Sequence, residues 1–227
     1  MAVTIKSPRE IELMRKAGEI LAKTHEELHA ALRPGMSTLD IDRLGEKIIR
    51  SNGCIPSFKN YNGYPASICV SVNDEVVHGI PNRHRILKEG DIVSLDAGVI
   101  YKGYHSDAAR TWAVGQVSPE AQKLMDVTKQ CFFEGIRFAK AGCHLGEISA
   151  AIQSYAESFG YVDDGNYAME YVRTGCQKKS RRQLYMQLSS RGVDKESIED
   201  ALEAYADEQE NTVRRLARKR LMQKPPR

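Results

Sequence analysis

Apolar residues recur at helical spacing through the first fifty positions, then switch to strand-like alternation, then return to helical spacing. Ile11, Met14, Gly18, Leu21, Leu28 and Leu32 outline one amphipathic helix. Ser7-Pro8-Arg9-Glu10 opens it as a capping box with proline at the first helical position, and Arg33-Pro34-Gly35 ends it. A second helix opens at Ser37 or Thr38, carries Leu39, Ile41, Leu44, Ile48 and Ile49, and closes at Asn52-Gly53. Residues 66–72 read as a strand, Asn73-Asp74 as a turn and 75–78 as a short strand. Residues 91–100 and the run after Asp107 form a hairpin about Lys102-Gly103. Ser118-Pro119-Glu120 starts a long helix to about Lys140, with Leu124, Val127, Phe132, Ile136 and Phe138 as its core positions. Ala141-Gly142 breaks it, and 145–159 forms another helix carrying Ile148, Ala151, Ile152 and Tyr155, stopped by Gly160. Helices, a strand cluster, then helices make an α+β unit.

The hairpin has a chemical consequence. Closure at Lys102-Gly103 sets Tyr101 opposite Tyr104 and Asp107 opposite Gly98, so Asp96 and Asp107 project from one face as diagonal neighbours, roughly 7–8 Å apart at Cα. Two acids on such a face repel, and burying either is costly without a partner. One reading has them capping turns or pairing with Arg110 or Lys102. The other places a cation between them. His25 and His29, four apart on the first helix, have the spacing of a metal pair. No acidic third ligand matches them, and they read as a solvated face.

The chain has 227 residues, 41% of them hydrophobic and 28% charged, which fits a folded protein of one large or two small domains. No run approaches the 18 apolar residues or so of a membrane span, and MAVTIKSPREIELM lacks the apolar core of a signal peptide. Five cysteines without a C-x-x-C pair point to reduced thiols and a cytoplasmic setting. The net charge of +3 is uneven. The chain is neutral to Val162, with 19 basic and 19 acidic residues, while the rest carries 14 against 11. His144 is the last histidine.

N-G-Y-P-A-S-I-C-V-S-V-N-D-E-V-V-H-G-I-P, then G-D-I-V-S-L-D-A-G, then G-Y-H-S-D-A-A-R-T, resemble type I methionine aminopeptidases over about residues 1–161. The resemblance implies the first half of a pita-bread fold and a pair of divalent metal ions (cobalt, manganese, iron or zinc), with Asp96 and Asp107 among their ligands. It implies that His78 of H-G-I-P contacts the substrate and helps stabilise the transition state. It also implies a methionine pocket drawing on Tyr61, Tyr64, Cys69 and Phe58, and N-terminal methionine peptides as substrates. In that family a second half begins near C-G-H-G-I-G and supplies one histidine and two glutamates. Here the corresponding stretch reads F-G-Y-V-D-D-G-N-Y-A-M-E-Y-V-R, with no histidine. The expectation is an incomplete metal site, impaired or inactive alone. The strand face bearing Val70, Val72, Val93 and Leu95 is expected to lack cover and to promote self-association.

Residues 162–227 form a separate, polar, all-α segment in this reading. Leu184 and Leu188, then Ile198, Leu202 and Tyr205 after an Asp194 cap, mark short helices. D-D-G-N-Y-A-M-E-Y-V-R, K-K-S-R-R-Q-L and L-S-S-R-G-V-D-K-E-S-I-E-D-A-L resemble the three-helix repeats of the RecX family, modulators of the RecA recombinase on DNA. That resemblance implies contact with RecA or nucleic acid through Arg181, Arg182, Arg214 and Arg215. The competing reading is a solvated surface balanced by Glu199, Asp200, Glu203 and Asp207. Three functions follow: an aminopeptidase, a binding module, or a chimera performing neither job fully.

Overall fold

The computed structural model describes residues 4–176 and 179–206 and divides into two compact units, 1–129 and 130–227. In the first, α1 (Pro8–Ala31) begins with the expected reciprocal cap: the Glu10 carboxylate accepts from Ser7 N–H at 2.7 Å, and Ser7 Oγ accepts from Glu10 N–H. Ser37 and Asp40 repeat the device at the start of α2 (Thr38–Ser51). The apolar stripes of both helices turn inward, Ile20, Leu21 and Leu28 from α1 with Ile41, Ile48 and Ile49 from α2. Gly45 on α2 lies so close to Ile68 that a Cβ there has no room.

Beneath the helices is an antiparallel sheet of four strands: β1 (Ile55–Pro56), β2 (Ile68–Val72), β3 (Ile92–Tyr101) and β4 (Tyr104–Ala113). β3 is central, with β4 along one side and β1 and β2 sharing the other. Lys102 (φ 48°) and Gly103 (φ 86°) close the β3–β4 hairpin with two positive φ values, the geometry that suits the right-handed twist of paired strands. The expected register holds, with Tyr101 opposite Tyr104 and Gly98 opposite Asp107.

Three expectations need correction in this unit, and one strand is added. Val70, Val72, Val93 and Leu95 are not an uncovered face; all four are fully buried with α1 and α2 residues in the core. Alternation along each strand leaves the opposite face, bearing Cys69, Asp96 and Asp107, away from that core. Residues 75–78 form no strand, because the Glu75 carboxylate captures Val72 N–H at 2.8 Å and turns the chain away. His25 is 2% exposed, with Nε2 3.0 Å from the Ala108 carbonyl, and His29 stacks on Trp112 with ring centroids 3.9 Å apart. The histidine pair faces β4 rather than solvent. The two-residue strand β1 was not anticipated; Ser57 N–H donating to Gly98 O at 2.9 Å continues it.

Helix α3 (Pro119–Ile136) spans the division between the units and ends four residues before the expected Lys140. Val127 and Cys131, four apart, are its buried positions, whereas Leu124, Phe132, Ile136 and Phe138 are exposed instead of core. In the second unit, Ile148 and Ile152 of α4 (Leu145–Ser158) approach Gly135 so closely that a Cβ there would lie 2.7 Å from Ile152 Cγ1. Helices α5 (Asp164–Gly175), α6 (Arg181–Ser189) and α7 (Lys195–Ala204) follow. Asp163, Ser180 and Asp194 cap them, and Ala168, Val172, Leu184, Leu188, Ile198 and Leu202 make their shared core. Among the described residues, no helix is long and apolar enough to cross a membrane.

Candidate metal centre

The sheet register sets the site. Asp96 on β3 pairs with Ala109 on β4 and with Cys69 on β2, while Asp107 pairs with Gly98 two residues further along β3. Asp96, Cys69 and Asp107 therefore share the face turned away from α1 and α2. Burial, then the charge and hydrogen-bonding reach of Asp107, push the Asp96 carboxyl up to about 6; His78 opposes the shift. Asp96 Oδ1 is buried and has no hydrogen-bond partner among the described residues. An unsatisfied carboxylate oxygen beside a second carboxylate is a costly arrangement for a bare chain. A divalent cation relieves both the repulsion and the unmet oxygen, and oxygen donors suit such an ion. The donor set is small: no cluster of three or more His, Cys, Asp or Glu side chains able to hold a metal occurs among the described residues.

Several local devices shape the approach to these acids. Gly98 has no room for a side chain, since a Cβ would meet Ser57 Cβ at 2.7 Å and Phe58 Cε1 at 2.9 Å. The Phe58 ring thus lies over the strand position opposite Asp107. Glu46 on α2 accepts from Lys59 at 2.6 Å and from Arg50 at 2.8 Å, which ties the Phe58 segment to the helix. These two cations hold the Glu46 carboxyl down at about 2. The Tyr64 hydroxyl lies 3.1 Å from both the Ile68 and Gly79 carbonyls, donating to one at a time, and so joins β2 to the loop after it. Burial first, then its partners, push the Tyr64 hydroxyl far up, and burial likewise raises the Cys69 thiol.

The loop bearing His78 is pinned on both sides of its backbone. Val70 N–H donates to Gly79 O at 2.9 Å, and Gly79 N–H donates to Ser71 Oγ at 3.1 Å. Gly79 sits against the Val70 and Ser71 backbone with no space for a Cβ. His78 takes a left-handed φ of 58° and is exposed, close enough to Asp96 to favour its ionised form. The structure thus gathers Asp96, Asp107, His78, Tyr64, Cys69 and Phe58 around one face. Tyr61 is 69% exposed on the short turn Tyr61–Gly63.

Two supporting residues escaped the sequence reading. Ser71 holds the His78 loop, and Asp42 is a buried acid on α2 whose Oδ1 accepts from Ser67 and Ile68 N–H at 2.8 and 3.0 Å. Burial raises the Asp42 carboxyl against those two bonds. An acid directly after Ile41, inside the apolar stripe of α2, was the available signal for it. The tail cations divide differently. Arg181 donates to the Leu202 carbonyl at 2.9 Å and so caps the end of α7, while Arg182 is exposed. Arg214 and Arg215 lie outside the described residues.

A family model, Metallopeptidase family M24, matches residues 12–210. Methionine aminopeptidase of Clostridium acetobutylicum is 51% identical over 177 residues, covering 78% of this chain and 69% of that protein. Methionine aminopeptidase 1 of Bacillus subtilis is 47% identical over 173 residues, with 76% and 68% covered. The crystal structure of methionine aminopeptidase from Rickettsia prowazekii superposes with a TM-score of 0.68 at 38% identity, covering 70% of this chain and 63% of that one. The chain thus spans about two thirds of the length of these relatives, and shares their pita-bread fold over the matched part. The comparisons lend no support to the RecX-like reading of the tail, and the family match runs through most of that stretch.

Proposed function

The chain belongs to metallopeptidase family M24, and on that premise we propose that the Asp96–Asp107 face is part of a methionine aminopeptidase site acting on N-terminal methionine peptides. The observation that carries the reading is the pair of carboxylates on adjacent strands, with Asp96 Oδ1 buried and unpartnered among the described residues. Asp96 and Asp107 would hold a divalent metal ion. A bound ion of this kind polarises the scissile carbonyl and lowers the pKa of a water. His78, presented by the pinned loop, holds the scissile amide, and Phe58, Tyr61, Tyr64 and Cys69 line the pocket for the methionine side chain. Tyr64 and Cys69 stay protonated through neutrality in their raised state, so the pocket presents no charge of its own to an apolar side chain.

In this reading the peptidase-like part spans residues 1–161 and is followed in the chain by a separate segment, 162–227. Two carboxylates leave most coordination positions to water, so metal binding by these 227 residues is weak and single, and turnover is impaired. The test is release of methionine from a Met-Ala-X peptide with added Mn²⁺ or Co²⁺. Slow, metal-dependent release that disappears in Asp96→Asn and Asp107→Asn supports the reading. Release that is indifferent to metal and to both substitutions contradicts it. Tight binding of two ions with rapid release would refute the impaired, single-ion form of it.

A further inference from the structure

Strand β2 pairs with β3 along one edge, and its other edge is met largely by side chains. Ile68 N–H donates to Asp42 Oδ1 at 3.0 Å, Val70 N–H to Gly79 O at 2.9 Å and Val72 N–H to the Glu75 carboxylate at 2.8 Å. Ser71 Oγ adds a fourth tie by accepting from Gly79 N–H at 3.1 Å. Residues 76–78 therefore form an arch with one foot on Glu75 and the other on Gly79. Within it Val76, Val77 and His78 make no backbone hydrogen bond among the described residues, and Val76 and Val77 are 86% and 66% exposed.

A three-residue arch so loosely bonded has several shapes open to it. His78 takes a left-handed one, φ 58°, which few residues other than glycine adopt and which persists only where the surroundings over-determine it. The two feet are what determine it. Gly79 presses on the β2 backbone, where a Cβ would stand 2.9 Å from Ser71 Cα. Ser71 is buried and lies two positions after Cys69, on the same side of the strand. One rigid strand thus carries both the pocket residue and the tie. His78 lies close enough to Asp96 for the two charges to interact.

On the reading of His78 given above, we propose that Ser71 and Glu75 are positioning residues that hold the arch on β2 and keep His78 in place beside Asp96. A group fixed before substrate arrives needs no reordering during reaction.

Nuclear magnetic resonance of the labelled, metal-free full chain reads the arch without turnover. The wild type is expected to show the HN–Hα coupling and Cα shift of a left-handed residue at His78. Ser71→Ala should average that coupling and speed Gly79 amide exchange by up to about tenfold, the worth of one hydrogen bond. Glu75→Ala, at an exposed position, should do the same to His78 and to the Val72 amide. Ser71→Thr and Glu75→Gln, which keep the acceptors, should restore the wild-type values. Ser94→Ala removes a hydroxyl that faces Ser71 across the sheet but bonds Thr111, and should change neither reading. In methionine release, Ser71→Ala should lower kcat with KM unchanged, and should have no further effect in a His78→Ala background. A wild-type His78 that is not left-handed overturns the proposal, as does an unchanged coupling in folded Ser71→Ala and Glu75→Ala. An equal loss of kcat in the His78→Ala background also overturns it. The expected coupling changes in a chain that never releases methionine would support the ties and count against the aminopeptidase reading alone.

Discussion

Burial governs the chemistry of His25. Its Nε2–H donates to the Ala108 carbonyl, while Nδ1 is buried with no partner among the described residues. A second proton would therefore sit unpaired beneath the sheet. Burial foremost, then the nearby Arg110 charge, lower the His25 pKa, and the Ala108 bond only partly offsets them. The unfolded chain binds that proton more readily, near the usual value of about 6.5. The neutral imidazole thus contributes stability that is complete above about 6.5 and is lost as pH falls toward the depressed native value. Urea midpoints between neutral and mildly acid pH should fall more steeply for the wild type than for His25→Gln, which keeps a donor for Ala108 but cannot ionise. Parallel pH profiles would return His25 to an exposed role. The sequence could not show this site, because the carbonyl and ring that enclose the histidines lie some eighty residues away on β4. Asp96 and Asp107 were legible for the opposite reason: one tight turn, Lys102-Gly103, fixes their register within a dozen residues.

At the scale of elements, short-range chemistry decided what could be read. Both capping boxes were visible as Ser-x-x-acid patterns, although only the one at Ser7 was singled out, and the apolar stripes of α1 and α2 follow the 3.6-residue period. The 75–78 stretch failed as a strand because one carboxylate, Glu75, competes for the backbone donor of Val72. In α3 the spacing alone could not tell the Val127–Cys131 line from the phenylalanine line beside it, since both recur at helical intervals. The link between α2 and the β1 segment is a charge contact with a pH signature. Glu46, held at about 2 by Lys59 and Arg50, binds a proton less readily folded than unfolded. Its contribution is present above about 4.5 and is lost as pH falls toward 2. Glu46→Gln should cost about 1 kcal/mol or less at neutral pH, the partners being partly solvated. Thermal melts of wild type and variant should converge near pH 2. A constant gap down to that pH would assign the cost to packing instead.

The whole molecule comprises two units, one a sheet with one face closed by helices and the other bearing two acids, the second helical with its own core. The family signature was readable because H-G-I-P, S-L-D-A-G and H-S-D-A-A-R fall on the pinned loop and the hairpin, where backbone geometry leaves few alternatives. Which face of the sheet is covered was not readable, since Val70 and Cys69 are equally apolar neighbours and only the packing of α1 and α2 distinguishes them. The central claim is that the Asp96–Asp107 face is a divalent-cation site. Calorimetric titration of the metal-free chain with Mn²⁺, beside Asp96→Asn and Asp107→Asn, tests it most directly. The account predicts one weakly bound ion in the wild type and affinity at least about tenfold lower in either variant. Identical isotherms for all three proteins would contradict it.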